Sequence, residues 1–137
     1  MADLESKSFD RPDETREFAG HGKIQLVQLS DGTVGKGVFE PGWRWSQDVK
    51  PIAKTESCQA RHLGYVLSGR MRVRMDDGSE AEVGPGDVVH VEPGHDAWVV
   101  GNEPCVMVDF AGAAHYAKGV AEGLGRFLAR PNGRATC

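Results

Sequence analysis

The chain has 137 residues, enough for one domain with its own hydrophobic core, and its 39% hydrophobic and 26% charged residues mark it as globular. A formal net charge of −4, with no dense basic stripe, argues against a nucleic-acid partner. No apolar run reaches the length of a membrane span, and the acidic start MADLESKSFDRPDETREF lacks a signal peptide's apolar core, so a cytoplasmic location is expected. Cys58, Cys105 and Cys137 are too few and too scattered for a disulfide framework.

Eighteen glycines and seven prolines favour short strands over long helices. Residues 1–20 are polar and read as a loose arm or a short helix. KIQLVQL (23–29) predicts a strand, SDG a turn, and TVGKGVFEPG (33–42) a second strand ending at Pro41-Gly42. WRWSQDV reads as extended, with Trp43 and Trp45 on one side. Past Pro51, residues 52–68 are expected to form one extended segment, which Ser68-Gly69 turns. RMRVRM (70–75) places Met71, Val73 and Met75 inward and its three arginines outward, their charge offset by Asp76, Asp77 and Glu80. Asp77-Gly78 suits a tight hairpin. SEAEV, VVHVEPG, HDAWVVGNEP and CVMVDF (105–110) follow as further strands, with a GPGD turn between the first two. Turns at intervals of about 8–12 residues predict an antiparallel sandwich or barrel. In residues 113–130, Tyr116, Val120, Leu124, Phe127 and Leu128 fall at helical spacing. They predict a C-terminal helix packed on the β-structure, weakened by Gly119, Gly123 and Gly125 and ended by Pro131. The expected organisation is an arm (1–20), a β-barrel (21–112), a helix (113–130) and a tail (131–137).

In TESCQARHLGYVLSG, residues 55–69, Glu56, Cys58 and His62 share even positions and so one face of an extended chain. Carboxylate, thiolate and imidazole are the ligand types zinc accepts. Imidazole and carboxylate also suit iron and nickel, and a thiolate turns the balance toward zinc or iron. Taken singly, Cys58 reads equally as a small buried hydrophobe and Glu56 as a solvated charge.

These residues, with GDVVHVEPGHDAW (86–98), resemble the two motifs of the cupin superfamily, a family of small antiparallel β-barrels. The family's first motif has two histidines one residue apart, then a glutamate, then a glycine. Glu56, Cys58, His62 and Gly69 keep that spacing with the ligand types permuted. GYVLSG after His62 is similar to the Tyr-Val-Leu-x-Gly that follows the family's metal-binding glutamate. In the second motif Ala97 stands where the family's metal histidine falls, and His95, two residues earlier, shares its strand face.

The resemblance implies an all-β, jelly-roll-like cupin barrel carrying one divalent metal, zinc first and iron or nickel next. Its ligands would be Glu56, Cys58, His62 and His95. It further implies a small-molecule ligand, met by Trp98, Tyr65 and Trp45, and a homodimer that covers the edge strands. Trp43 and Trp45 also read as core or dimer packing. His90, opposite in parity to Val89 and Val91, is expected to be exposed or structural, and His21 and His115 to lie at the surface. Cys105 reads as a strand core residue. No Ser-His-Asp set, phosphate-binding glycine loop or dinucleotide fingerprint is present, and no catalytic residue is assigned. Two functions remain open. One is a metal-dependent enzyme acting on a small polar organic substrate. The other is a metal-free, non-catalytic ligand-sensing barrel.

Overall fold

The structure is a computed structural model that describes residues 4–113. It is built on antiparallel strands joined by turns that the glycine and aspartate pattern signals. β1 (Glu14–Glu17) pairs with β2 (Gly22–Leu29), which returns through Ser30-Asp31 into β3 (Gly32–Phe39), with Leu29 opposite Gly32. β4 (His62–Ser68) leads through Gly69 into β5 (Arg70–Met75), and β6 (Glu80–Val83), β7 (Val88–Val91), β8 (His95–Val100) and β9 (Cys105–Asp109) follow. They form a six-stranded sheet in the order β1-β2-β3-β9-β4-β7 and a three-stranded sheet in the order β6-β5-β8. The core lies between the two. Ile24, Leu26, Phe39, Val66, Val89, Val91 and Cys105 come from the larger sheet, and Met71 and Ala97 from the smaller. The β-architecture is therefore a two-sheet sandwich rather than a closed barrel. The C-terminal helix expected over 113–130 lies outside the described residues.

Gly69 is where the chain leaves one sheet for the other. Its φ is +76°, and a Cβ there would sit 2.2 Å from the carbonyl oxygen of Pro104, so both backbone and space demand glycine. In β5 the expected alternation holds. Met71 is buried, Val73 and Met75 pack against the core, and the arginines pair outward, Arg70 with Glu82 and Arg72 with Glu80 and Glu82. Glu82, rather than the neighbouring Asp76 and Asp77, shares this neutralisation with Glu80. Asp76 instead accepts the Ser57 hydroxyl at 2.9 Å.

Three local readings change. Residues 14–17 belong to a strand rather than a loose arm, held by their ladder with β2. Trp45–Asp48 (α1) and Lys50–Ala53 (α2) are single helical turns rather than extended chain. α1 is anchored because the Asp48 carboxylate accepts the Arg44 N–H at 2.9 Å, while Asp96 accepts the Ser46 N–H and hydroxyl. Pro51, at the start of α2, suits a first helical turn, where its missing N–H costs nothing. α2 ends at Lys54 in the left-handed region, so residues 54–61 are irregular and β4 begins only at His62.

Candidate functional site

Three ligand-capable side chains meet between the sheets. His62 opens β4, whose alternation turns His62, Gly64 and Val66 inward and Leu63, Tyr65 and Leu67 outward. His95 opens β8 and is 4% exposed. Cys58 is delivered by pairing rather than by strand parity: its N–H donates to the His95 carbonyl at 2.8 Å, and its own carbonyl accepts the Gly94 N–H at 2.7 Å. The result is a Cys58–His62–His95 group whose ligand-capable atoms lie within 4.8 Å of one another. Cys58 Sγ is 3.5 Å from His62 Nε2, and the two imidazole centroids are 5.2 Å apart.

Each imidazole is oriented from behind. His95 Nδ1–H donates to the Glu92 carbonyl at 2.7 Å; a carbonyl only accepts, so the proton is on Nδ1 and the Nε2 lone pair is left available. His62 Nδ1–H donates to Asp109 Oδ2 at 2.6 Å. Burial works to raise the Asp109 pKa. The hydrogen bond and charge of His62, with the N–H groups of Ala111 and Gly112, outweigh it and hold the carboxyl below its ordinary range. Asp109 is thus an ionised acceptor, and His62 too is left with Nε2 toward Cys58. Gly112 makes the room, since a Cβ there would stand 2.9 Å from His62 Nδ1. Burial, and then the neighbouring His62, push the His95 pKa from 6.5 down to about 4, so this ring is neutral at physiological pH. An Nδ1–H tied to an oxygen acceptor with Nε2 facing inward is the arrangement in which imidazoles bind metals.

The group borders a cavity of about 70 Å³, several times the ~15 Å³ that one water needs. Its other walls are apolar, among them Ile24, Phe39, Met71, Val73 and Met107, with Trp43 and Trp45. Both indoles are almost wholly buried, yet neither Nε1–H meets an acceptor among the described residues. An unmet buried donor costs about 1–3 kcal/mol.

A cupin-domain family model matches residues 50–111, which contain all three residues of the group. The fold resembles that of the polyketide cyclase RemF from Streptomyces resistomycificus (TM-score 0.56, 17% identity, covering 79% of this chain and 78% of that one). It also resembles an RmlC-like cupin from Shewanella frigidimarina NCIMB 400 (TM-score 0.52, 20% identity, 77% and 90% covered). Over residues 50–111 the chain thus matches the cupin superfamily. A further similar fold is a protein of unknown function from Acidithiobacillus ferrooxidans (TM-score 0.54, 19% identity, 73% and 88% covered). No curated protein matches the sequence. At these identities the solved structures establish fold alone.

Set against the cupin motifs, the expected site divides. Cys58, His62 and His95 come together, and Trp45 lines the cavity. Glu56 does not join them: its side chain is 96% exposed and pairs with Lys50 at 3.1 Å, because the irregular segment breaks the parity that would have aligned it with Cys58. Trp98 and Tyr65 do not line the cavity. The alternation that turns His95 and Ala97 inward turns Trp98 outward, where the Arg44 guanidinium lies 4.3 Å from its ring centroid. Tyr65 is likewise outward and 39% exposed. His90 is exposed beside Glu92, and His21 bonds Asp48 at 3.0 Å from a half-exposed position. Cys105 is a core thiol, pushed up to about 12 by burial and then by Glu103. Asp109 is the residue that reading the sequence missed.

Proposed function

We propose that this cupin binds one divalent metal through Cys58, His62 and His95 and receives a small molecule in the adjoining apolar cavity, as a metal-dependent enzyme. The observation that carries the reading is the convergence of three ligand atoms within 4.8 Å, two of them on imidazoles fastened from behind by Asp109 and the Glu92 carbonyl. The donor set of one thiolate and two imidazoles fits zinc first, with iron or nickel next. Three protein ligands leave a coordination position for water or substrate, where a metal supplies Lewis acidity. The chain's own contribution is to hold both rings in the tautomer that presents Nε2 and to wall the adjoining cavity mostly with apolar side chains.

Cys58 is disulfide-bonded in this structure, and only a thiolate ligates a metal. The disulfide favours a second reading, a metal-free binding cavity. The test is elemental analysis of untagged protein prepared with and without reductant, beside Cys58→Ala and His62→Ala. About one equivalent of metal in reduced wild type, lost in both variants, supports the reading. Less than about a tenth of an equivalent in reduced protein from metal-replete medium refutes it.

A further inference from the structure

The bonded state of Cys58 bears on how the metal centre is controlled, an inference that rests on the metal reading above. One sulfur has two incompatible roles. As a thiolate it completes the Cys58–His62–His95 group, and in this structure it is instead disulfide-bonded. A sulfur in a disulfide has no thiolate to offer a cation, so the two states exclude each other. The chain has three cysteines, Cys58, Cys105 and Cys137. Cys105 is free and buried. It pairs with Phe39 at the opposite end of β9 from Asp109, about 13 Å along the strand. Burial also raises its pKa, which makes it a poor nucleophile. Cys137, outside the described residues, is the cysteine that remains.

Reach permits the bond. Gly112 packs against the group, where an added Cβ would lie 2.9 Å from His62 Nδ1, and Ala113 is wholly buried. The chain from 114 to 137 therefore starts beside His62, and fully extended it would span roughly 80 Å. With residues 114–130 helical, as their spacing predicts, it still offers about 26 Å of helix and about 23 Å of extended tail. We propose that Cys58 and Cys137 form a redox switch on the metal centre: reduced, Cys58 ligates the metal, and oxidised, it is bonded to Cys137 and the metal is released. The oxidant is a peroxide. From the metal-bound state the Cys58 thiolate and the Cys137 thiol give up two electrons, their S–S bond forms, and the O–O bond of hydrogen peroxide breaks. The thiol proton and one proton from solvent complete two waters. Loss of the thiolate leaves two imidazoles, too few ligands to retain the cation. A reductant that cleaves the disulfide restores the thiolate.

The experiment uses the full, untagged chain, reduced and loaded with zinc, beside Cys137→Ser and Cys105→Ser. Before oxidant is added, wild type and both variants should hold zinc equally. Hydrogen peroxide is then added in equimolar amount. Zinc release is followed with a chromogenic chelator, and the products are resolved by non-reducing electrophoresis and by mass spectrometry of non-reduced tryptic digests. Trypsin leaves Cys58 in TESCQAR (55–61) and Cys137 in ATC (135–137). Wild type and Cys105→Ser are expected to yield TESCQAR joined to ATC within a single chain, to release zinc in step with that bond, and to take zinc up again after a phosphine reductant. Cys137→Ser should release zinc at least about tenfold more slowly. Reduced wild type that takes up no zinc overturns the switch together with the metal reading. Zinc-loaded wild type that yields no TESCQAR–ATC bond, or one only between chains, overturns the switch alone. So does a bonded form that keeps its zinc, or equal release from Cys137→Ser.

Discussion

Acid should weaken this protein through His95. The perturbation is a fall in pH on reduced, chelator-treated protein, so that no metal competes with the proton. In the folded state burial, and then His62, hold the His95 pKa at about 4, against 6.5 for an ordinary histidine. Between these values the unfolded chain binds a proton that the folded chain refuses. Stability is therefore complete above about pH 6.5 and is lost as pH falls toward 4. At about 1.4 kcal/mol per pKa unit the loss approaches 3 kcal/mol, a large share of a typical 5–15 kcal/mol total. Asp109 acts in a lower window: its carboxyl is held below 3.8, so its contribution persists until the pH passes below that value. Urea unfolding at intervals from neutral pH to about pH 4.5 reads the slope, and His95→Gln, neutral throughout, is the comparison. Wild type should lose about 2 kcal/mol by pH 5 and the variant much less. A flat wild-type profile, or the same slope in His95→Gln, would refute the reasoning.

Asp109→Asn replaces the ionised acceptor behind His62 and should weaken metal binding about 10- to 100-fold in a competition titration. Glu56→Gln, at a side chain 96% exposed, should leave it unchanged. Gly69→Ala puts a Cβ 2.2 Å from the Pro104 oxygen at a φ of +76° and should cost more than about 2 kcal/mol by urea unfolding; a cost below about half of that would count against Gly69 as the crossing between sheets. The expected homodimer should bury the apolar outer side of β4, the end of β9 and the edge strand β7, where Leu67, Phe110 and Val88 are 48%, 55% and 72% exposed. Sedimentation at tens of micromolar should find a dimer in wild type and more monomer in Val88→Lys, and a wild-type monomer would exclude this pairing.

The parts of this molecule legible in the sequence are those encoded locally. Alternation in RMRVRM, the Asp77-Gly78 hairpin and the SDG turn each need only a few neighbouring residues, and each forms as the pattern requires. The same alternation settles His95: two residues from Ala97, it shares the inward face, and its parity sends Trp98 the other way. The errors arise where tertiary bonds override local pattern. Trp43 and Trp45 read as extended neighbours, yet α1 forms because Asp48 and Asp96, the latter distant in sequence, accept the N–H groups that open the turn. Glu56 and Cys58 share parity only if residues 54–61 form a strand. Cys58 instead reaches the site by bridging His95, a bond that carries its neighbour Glu56 nowhere near it. Asp109 gave no signal at all. It lies 47 residues from His62, and its role exists only because β9 pairs with β4, setting Asp109 opposite Gly64. Motif spacing can locate atoms that face a metal, because one strand or hairpin carries them. The acceptor that fixes a histidine's tautomer comes from whichever strand the topology lays alongside, and only the sheet order reveals it.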